Sequence, residues 1–226
     1  MRETTKEEIK AVAWRQIAEF GAPALSLRAI AREMGLTAPA LYRYFEDRDA
    51  LVGALVIDAF DSFAAALEAA RDSRPPADHA GRIRAIGAAY RKWALHYPQR
   101  YVLIFGTPIP RYCPAPETMG AGRRSFSVLL ESLNDAQAAG ALRIPSRPAQ
   151  SPMKFSAWVE ELLSQPENAF SPEVLQLALS TWSWIHGLVS LELCGQLPSF
   201  LGEQTGLFFA AESEGFLGNL GFTKME

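Results

Sequence analysis

Apolar residues recur at three-and-four spacing through almost all of this 226-residue chain, and at period-two spacing in none of it. A helix returns to one face every 3.6 residues and a strand every two, so this pattern selects helix before any residue's own propensity is weighed. No β-branched run alternates with polar residues, and no Asn-Gly or Asp-Gly pair offers a hairpin turn. The expected fold is all-α.

Caps and breakers divide the pattern. Thr5 with Glu8 reads as a capping box opening a first helix, with Ile9, Ala13, Ile17 and Phe20 on its apolar face. Gly21 ends it and Pro23 blocks its resumption. Ser26 caps a short second helix, with Leu27, Ile30, Ala31 and Met34 inward and Gly35 as its stop. Thr37 caps a third, with Pro39 in its first turn, where a missing N–H costs nothing. Asp47 caps a helix running to about residue 71, roughly 35 Å at 1.5 Å per residue. Its stripe is Leu51, Leu55, Val56, Ala59, Phe60, Phe63 and Leu67. Further helices are expected near 82–96, 117–139, 153–164, 172–194 and 199–218. Proline-rich breaks fall at 107–116 and 143–152, and "YPQRYVLIFG" remains an unassigned short segment.

Composition excludes several classes. The polar start MRETTKEEIK is neither a signal nor a transit peptide, and no apolar run approaches the roughly 18 residues of a membrane span. Cys113 and Cys194 stand far apart without a CxxC pairing, which suits a reducing compartment, so the expected location is cytoplasmic, with no membrane partner. Three scattered histidines lack spaced carboxylate partners, so no metal is expected. No GxSxG, HExxH or phosphate-cradling glycine loop is present, so neither catalytic residues nor a cofactor are expected. The net charge of −3 hides an asymmetry: residues 147–226 carry three basic against nine acidic side chains, while residues 1–50 balance eight against eight. Any nucleic-acid contact must come from a few placed residues near the N-terminus.

The second and third helices, joined through Gly35-Leu36-Thr37, have helix-turn-helix spacing. Ala38 and Ala40 keep the leading face of the third low, as a helix entering a major groove requires. Tyr42 and Tyr44 supply hydroxyls, and Arg43 and Arg48 supply charge, suited to phosphate oxygens. Leu41 and Phe45 are the inward anchors.

The stretch ALSLRAIAREMGLTAPALYRYFEDRDALVGAL resembles the DNA-binding head of the TetR family of bacterial transcriptional regulators. The likeness rests on Ser26, Ile30-Ala31, Gly35-Leu36-Thr37, Leu41-Tyr42-x-x-Phe45 and Arg48, and covers roughly residues 5–55. It implies that Arg28, Ala38, Pro39 and Tyr42 face the bases, with Thr37, Ala40, Tyr44 and Arg48 against the DNA backbone. Two departures are plain: Glu46 stands where members often carry a basic residue, and Leu27 where some carry a hydroxyl. Trp184-Ile185-His186-Gly187 resembles the Trp-His-Gly motif of a C-terminal subgroup. The division that follows is a helix-turn-helix head at 1–47 and a helical ligand-binding and dimerisation domain at 48–226, joined by the long helix.

Two features of the second part bear on partners. The helix near 172–194 carries apolar residues on two sides and must bury both. The resemblance implies a four-helix homodimer interface, for which Leu177, Trp184, Leu188, Leu191, Phe208, Phe209, Phe216 and Leu220 are the candidates. Aromatic excess in the middle of the chain suggests a pocket for a small, mainly apolar effector. Its candidate lining is Phe63, Tyr90, Trp93, His96, Tyr101, Phe105, Phe126, Trp158, Trp182 and His186. The leading expectation is a repressor that binds a palindromic double-stranded DNA operator and is released by its effector. Two alternatives stand beside it: a ligand-binding or interaction module whose head has lost DNA, and a small enzyme using His96 or His186 as base.

Overall fold

The computed structural model describes residues 2–109, 112–144, 156–157, 159–160 and 170–222. Among them the fold is helical, apart from an isolated antiparallel bridge between Leu142 and Phe222. Among the described residues the helices with defined bounds are α1 (Arg2–Phe20), α2 (Leu27–Glu33), α3 (Ala38–Tyr42), α4 (Arg48–Asp72), α5 (His79–His96), α6 (Pro98–Phe105), α7 (Pro116–Ala138), α8 (Pro172–Leu193), α9 (Gln196–Leu201) and α10 (Thr205–Asn219).

Most boundaries follow their local chemistry. Gly21, at φ 78, releases the chain from α1, and Gly35, at φ 67, releases it from α2. Ser26 caps α2, its Oγ accepting from the Ala29 amide at 3.4 Å, and Asp47 caps α4, its Oδ1 accepting from the Ala50 amide at 2.7 Å. Two expectations need correction, and one segment left unassigned is settled. The first helix begins at Arg2, so Thr5 lies inside it and is not its cap. The segment starting at Tyr97 is a full helix, α6, because Pro98 fits a first turn. The last helix is split into α9 and α10, since Gly202 at φ 57 leaves helical geometry between them. The helix expected near 153–164 lies almost wholly outside the described residues. By length and apolar composition α4 and α8 would each suit a membrane span. In α4, however, Leu51, Val52 and Leu55 are fully buried against the chain's own core.

The chain falls into two compact units. The first is Met1–Ala64 with Trp93–Ser125. Its core gathers Ile9, Val12 and Ile17 of α1, Ile30 of α2, Leu41 of α3, Phe45, and Leu51 and Leu55 of α4. Ile109, from the loop after α6, is a buried member of the same core, with Leu103, Ile104 and Tyr112 packed against it. The unit thus extends well past residue 47, because the three-helix motif alone leaves part of its apolar surface for α6 and its loop to cover. The second unit is Ala65–Lys92 with Phe126–Glu226. There the Arg91 guanidinium of α5 forks onto Glu192 of α8 at 2.6 and 2.7 Å, and Arg84 binds Glu214 of α10 at 2.5 and 3.0 Å.

Replacing Ile109 with Ala should destabilise the first unit by about 2–5 kcal/mol, the usual cost of emptying an isoleucine site. Urea unfolding with amide exchange should show the loss in α1–α4; unchanged exchange there would mean that the loop is not part of that core.

Candidate nucleic-acid interface

The helix-turn-helix is built from burial outward. Leu41 is 0% exposed and Phe45 is buried four residues later, so α3 is pinned along one side. That leaves Pro39, Tyr42 and Arg43 exposed on the other, with Ala38 and Ala40 half-buried between. Tyr42 is 44% exposed, unusual for an aromatic in a well-packed head. Thr37 occupies the cap position with extended backbone, yet its side chain makes no cap hydrogen bond, and it is exposed. Arg28, the second residue of α2, is exposed as well.

Two residues of the expected set sit differently. Tyr44 is half-buried, its ring packed on the head core, so most of its surface serves that core. Arg48 is turned inward: its Nη2 donates to the carbonyls of Ala22 at 3.0 Å and Pro23 at 3.3 Å. Residues that sequence reasoning missed are those bracing the motif from outside it. Lys10 of α1 reaches Asp58 of α4 at 2.7 Å, and the Arg100 guanidinium of α6 lies 5.2 Å from the Trp14 ring centroid of α1. No local pattern signals either pair, because the partners are 48 and 86 residues apart.

Within each unit the candidate pocket residues pack on one another. In the first unit Phe63 packs on Trp93 at 4.8 Å between ring centroids and on Phe105 at 5.7 Å, and Tyr101 packs on Phe105 at 5.2 Å. The Trp93 indole N–H donates to Ser62 Oγ at 3.0 Å. His96 is exposed, with its ring edge-on to Tyr97. In the second unit the Tyr90 hydroxyl and His186 Nδ1 share a hydrogen bond of 2.9 Å. The His186 ring stacks on Trp182, which meets Phe126 edge-on. Burial pushes the His186 imidazole below its ordinary pKa. Trp158 lies outside the described residues. Among the described residues no cluster of three metal-ligating side chains occurs.

The interface candidates also sort by burial. Phe209 and Leu220, at 8% and 4% exposure, are buried within their own chain and are not available to a partner. Phe209 turns inward because its ring carries the Arg91 guanidinium, 5.3 Å from the centroid. Trp184 and Phe216 stack on each other at 4.3 Å, and with Leu177, Leu188 and Phe208 are half-buried. The large apolar side chains left exposed on these helices are Leu179 and Leu191 on α8, Phe200 on α9 at 84% and Leu207 on α10 at 73%. Leu179, Phe200 and Leu207 were not among the expected residues.

This arrangement of a short exposed helix on a small helical head is that of a DNA-binding regulator, and comparison with known proteins agrees. Residues 9–55 match the sequence profile described as bacterial regulatory proteins, tetR family, and residues 83–213 that of the tetracyclin repressor-like C-terminal domain. The chain is 31% identical over 213 residues to the HTH-type transcriptional regulators Mb1846 of Mycobacterium bovis and Rv1816 of Mycobacterium tuberculosis. The match covers 94% of this chain and 90% of each relative. It is also similar to the solved structure of SCO4313, described as a regulatory protein, at 40% identity and a TM-score of 0.74, over 96% of this chain and 97% of that one. A protein of unknown function from Rhodococcus sp. RHA1 aligns with the same TM-score at 26% identity, over 96% and 95% of the two chains. The chain belongs to the TetR family of bacterial transcriptional regulators.

The His186 environment has a pH consequence. Its folded pKa lies below the unfolded value of about 6.5, so below that pH the unfolded chain binds more protons and stability falls. Between pH 8 and 5.5 the melting temperature should therefore drop further for the native chain than for His186→Gln. Equal drops would show that His186 does not contribute.

Proposed function

We propose that this regulator is a repressor that binds a two-fold-symmetric operator as a homodimer and is released by a small, mainly apolar ligand. The observation that carries it is the outward edge of α3, where Pro39, Tyr42 and Arg43 are exposed while Leu41 is fully buried. A helix held this way can lie in a major groove. Arg28, Ala38, Pro39 and Tyr42 would meet base edges, and Thr37, Ala40 and the Tyr44 hydroxyl would meet the backbone with Arg43 beside them. Exposed Glu46 keeps the phosphate contacts few, so sequence-independent affinity should be modest.

Dimerisation rests on Phe200, Leu207 and Leu191, large apolar surfaces that a second copy would cover. Two heads then read half-sites one helical turn apart, about 34 Å. Effector binding rests on the two aromatic groups, around Phe63, Trp93, Tyr101 and Phe105 and around Phe126, Trp182, His186 and Tyr90. A ligand releases DNA only if it prefers the state whose heads no longer fit that spacing. A shift from 1:99 to 99:1 takes a preference of about 5.5 kcal/mol. Such a regulator works in the cytoplasm, where its operator is.

Selection from a random-sequence duplex pool should enrich a palindrome, and Arg28→Ala should lose about 1–3 kcal/mol of discrimination within it. Enrichment of no symmetric site would leave the alternative, a head without an operator. Combined Phe200→Asp and Leu207→Asp should give a monomer by sedimentation; a dimer that survives both changes would place the seam elsewhere.

A further inference from the structure

Arg48 is the first residue of α4, where a cation runs against helix electrostatics. The N-terminus of a helix carries a partial positive charge and favours anions. Asp47 and Asp49 meet that preference, the first as cap and the second 3.7 Å from the Arg48 guanidinium. Arg48 therefore needs a reason of its own. Its side chain is 29% exposed and folds back onto the turn between α1 and α2, where Nη2 donates to Ala22 O at 3.0 Å and Pro23 O at 3.3 Å. Two hydrogens on one nitrogen meet two successive carbonyls.

The far end of that turn is anchored without Arg48: Leu25 is buried in the head core, with Ala22 packed against it, and the Ser26 amide donates to Gln16 Oε1 at 3.3 Å. Its near end, at Ala22 and Pro23, is where Arg48 adds its two hydrogen bonds. Gly21 leaves α1 at φ 78, Pro23 has no N–H to donate, and the single 3₁₀ turn at Ala22–Ala24 is too short to be rigid alone. It leads directly into Ser26, the cap of α2, and then Arg28. We propose that Arg48 is a positioning residue that fastens the 21–26 turn to the base of α4, and so sets where α2 presents Arg28, rather than a contact to DNA phosphate. The same fastener ties the start of α4 to the end of α1, so any tilt of α4 at its base carries the turn with it. The consequence for DNA rests on the operator-binding reading above, whereas the fastening itself does not.

The test uses the full-length chain with Arg48→Gln and Arg48→Lys. Without DNA, amide exchange at Ala24, Leu25 and Ala29 should quicken in both variants while α5–α10 exchange as in the native protein. Unchanged exchange at those three amides, or quickening spread evenly over the chain, overturns the proposal. Affinity is then measured between 50 and 200 mM salt on a duplex selected by the native protein from a random pool. Loss of a phosphate contact would flatten the log–log salt slope by about 0.9 per head. A lost fastener lowers affinity and leaves the slopes parallel. Arg48→Lys adds a second discriminator: it keeps the charge and would restore a phosphate contact, but its stem is one atom shorter, so its ammonium falls short of the place where Nη2 meets the two carbonyls and affinity should stay near that of Arg48→Gln. A flattened slope, or full rescue by lysine, overturns the assignment. If Arg48→Gln does not fold, the lysine variant carries both measurements. If the native chain selects no duplex, the operator reading fails while the exchange data still decide the fastening.

Discussion

Burial of Leu41 is the constraint on which the reading helix depends. At five residues α3 is far below the roughly 12–15 at which an isolated helix begins to hold its shape in water. Its hydrogen bonds alone cannot maintain it. Leu41 sits at 0% exposure among Ile9, Ile30, Phe45 and Leu51, and full burial of a leucine is worth about 1.5–3 kcal/mol. With that side chain fixed, the helical repeat dictates which residues point out. The face offered to DNA is thus set by the residue that never touches it.

The core that receives Leu41 is not made by the motif alone. Ile109 joins it from a proline-flanked loop, Leu103 and Ile104 pack on it from α6, and the Arg100 guanidinium lies over both Trp14 and Tyr97, 4.7 Å from the latter. A head assembled this way cannot change the packing of α6 and its loop without changing its own. That is the physical condition for a regulator whose DNA affinity is to depend on events outside its reading helix, because well-packed cores switch between discrete arrangements rather than deforming continuously. The second unit combines two kinds of contact. It too has an apolar core, with Leu130, Leu133, Val174 and Val189 fully buried, and polar contacts add to it, Arg91 with Glu192, Arg84 with Glu214 and Tyr90 with His186, whose geometry is more exacting than that of apolar packing.

Much of the head was legible in the sequence because its signals are local. Ser26, Gly35, Pro39 and Asp47 each act within three or four residues, and each does in the structure what its chemistry requires. Thr5 was misleading for the same reason: a capping box marks a helix start only when nothing upstream extends the helix, and residues 2–4 do. The closing helices misled in another way. Spacing put Phe209 on a seam shared with another chain, but a period cannot tell a neighbour in the same subunit from one in another. Only the position of Arg91 shows that the Phe209 face is already taken.

Sequence alone determined that this chain is helical, where the short helices of the head begin and end, and that residues 26–48 form a helix-turn-helix of the TetR kind. All of these are set by interactions within a turn or two of chain. Tertiary structure alone decided that Arg48 faces two carbonyls of the preceding turn, that Ile109 belongs to the head, and that Phe200 and Leu207 rather than Phe209 and Leu220 are left exposed. Each of these depends on partners brought together from elsewhere in the chain, and no spacing rule records which residues will meet across such distances.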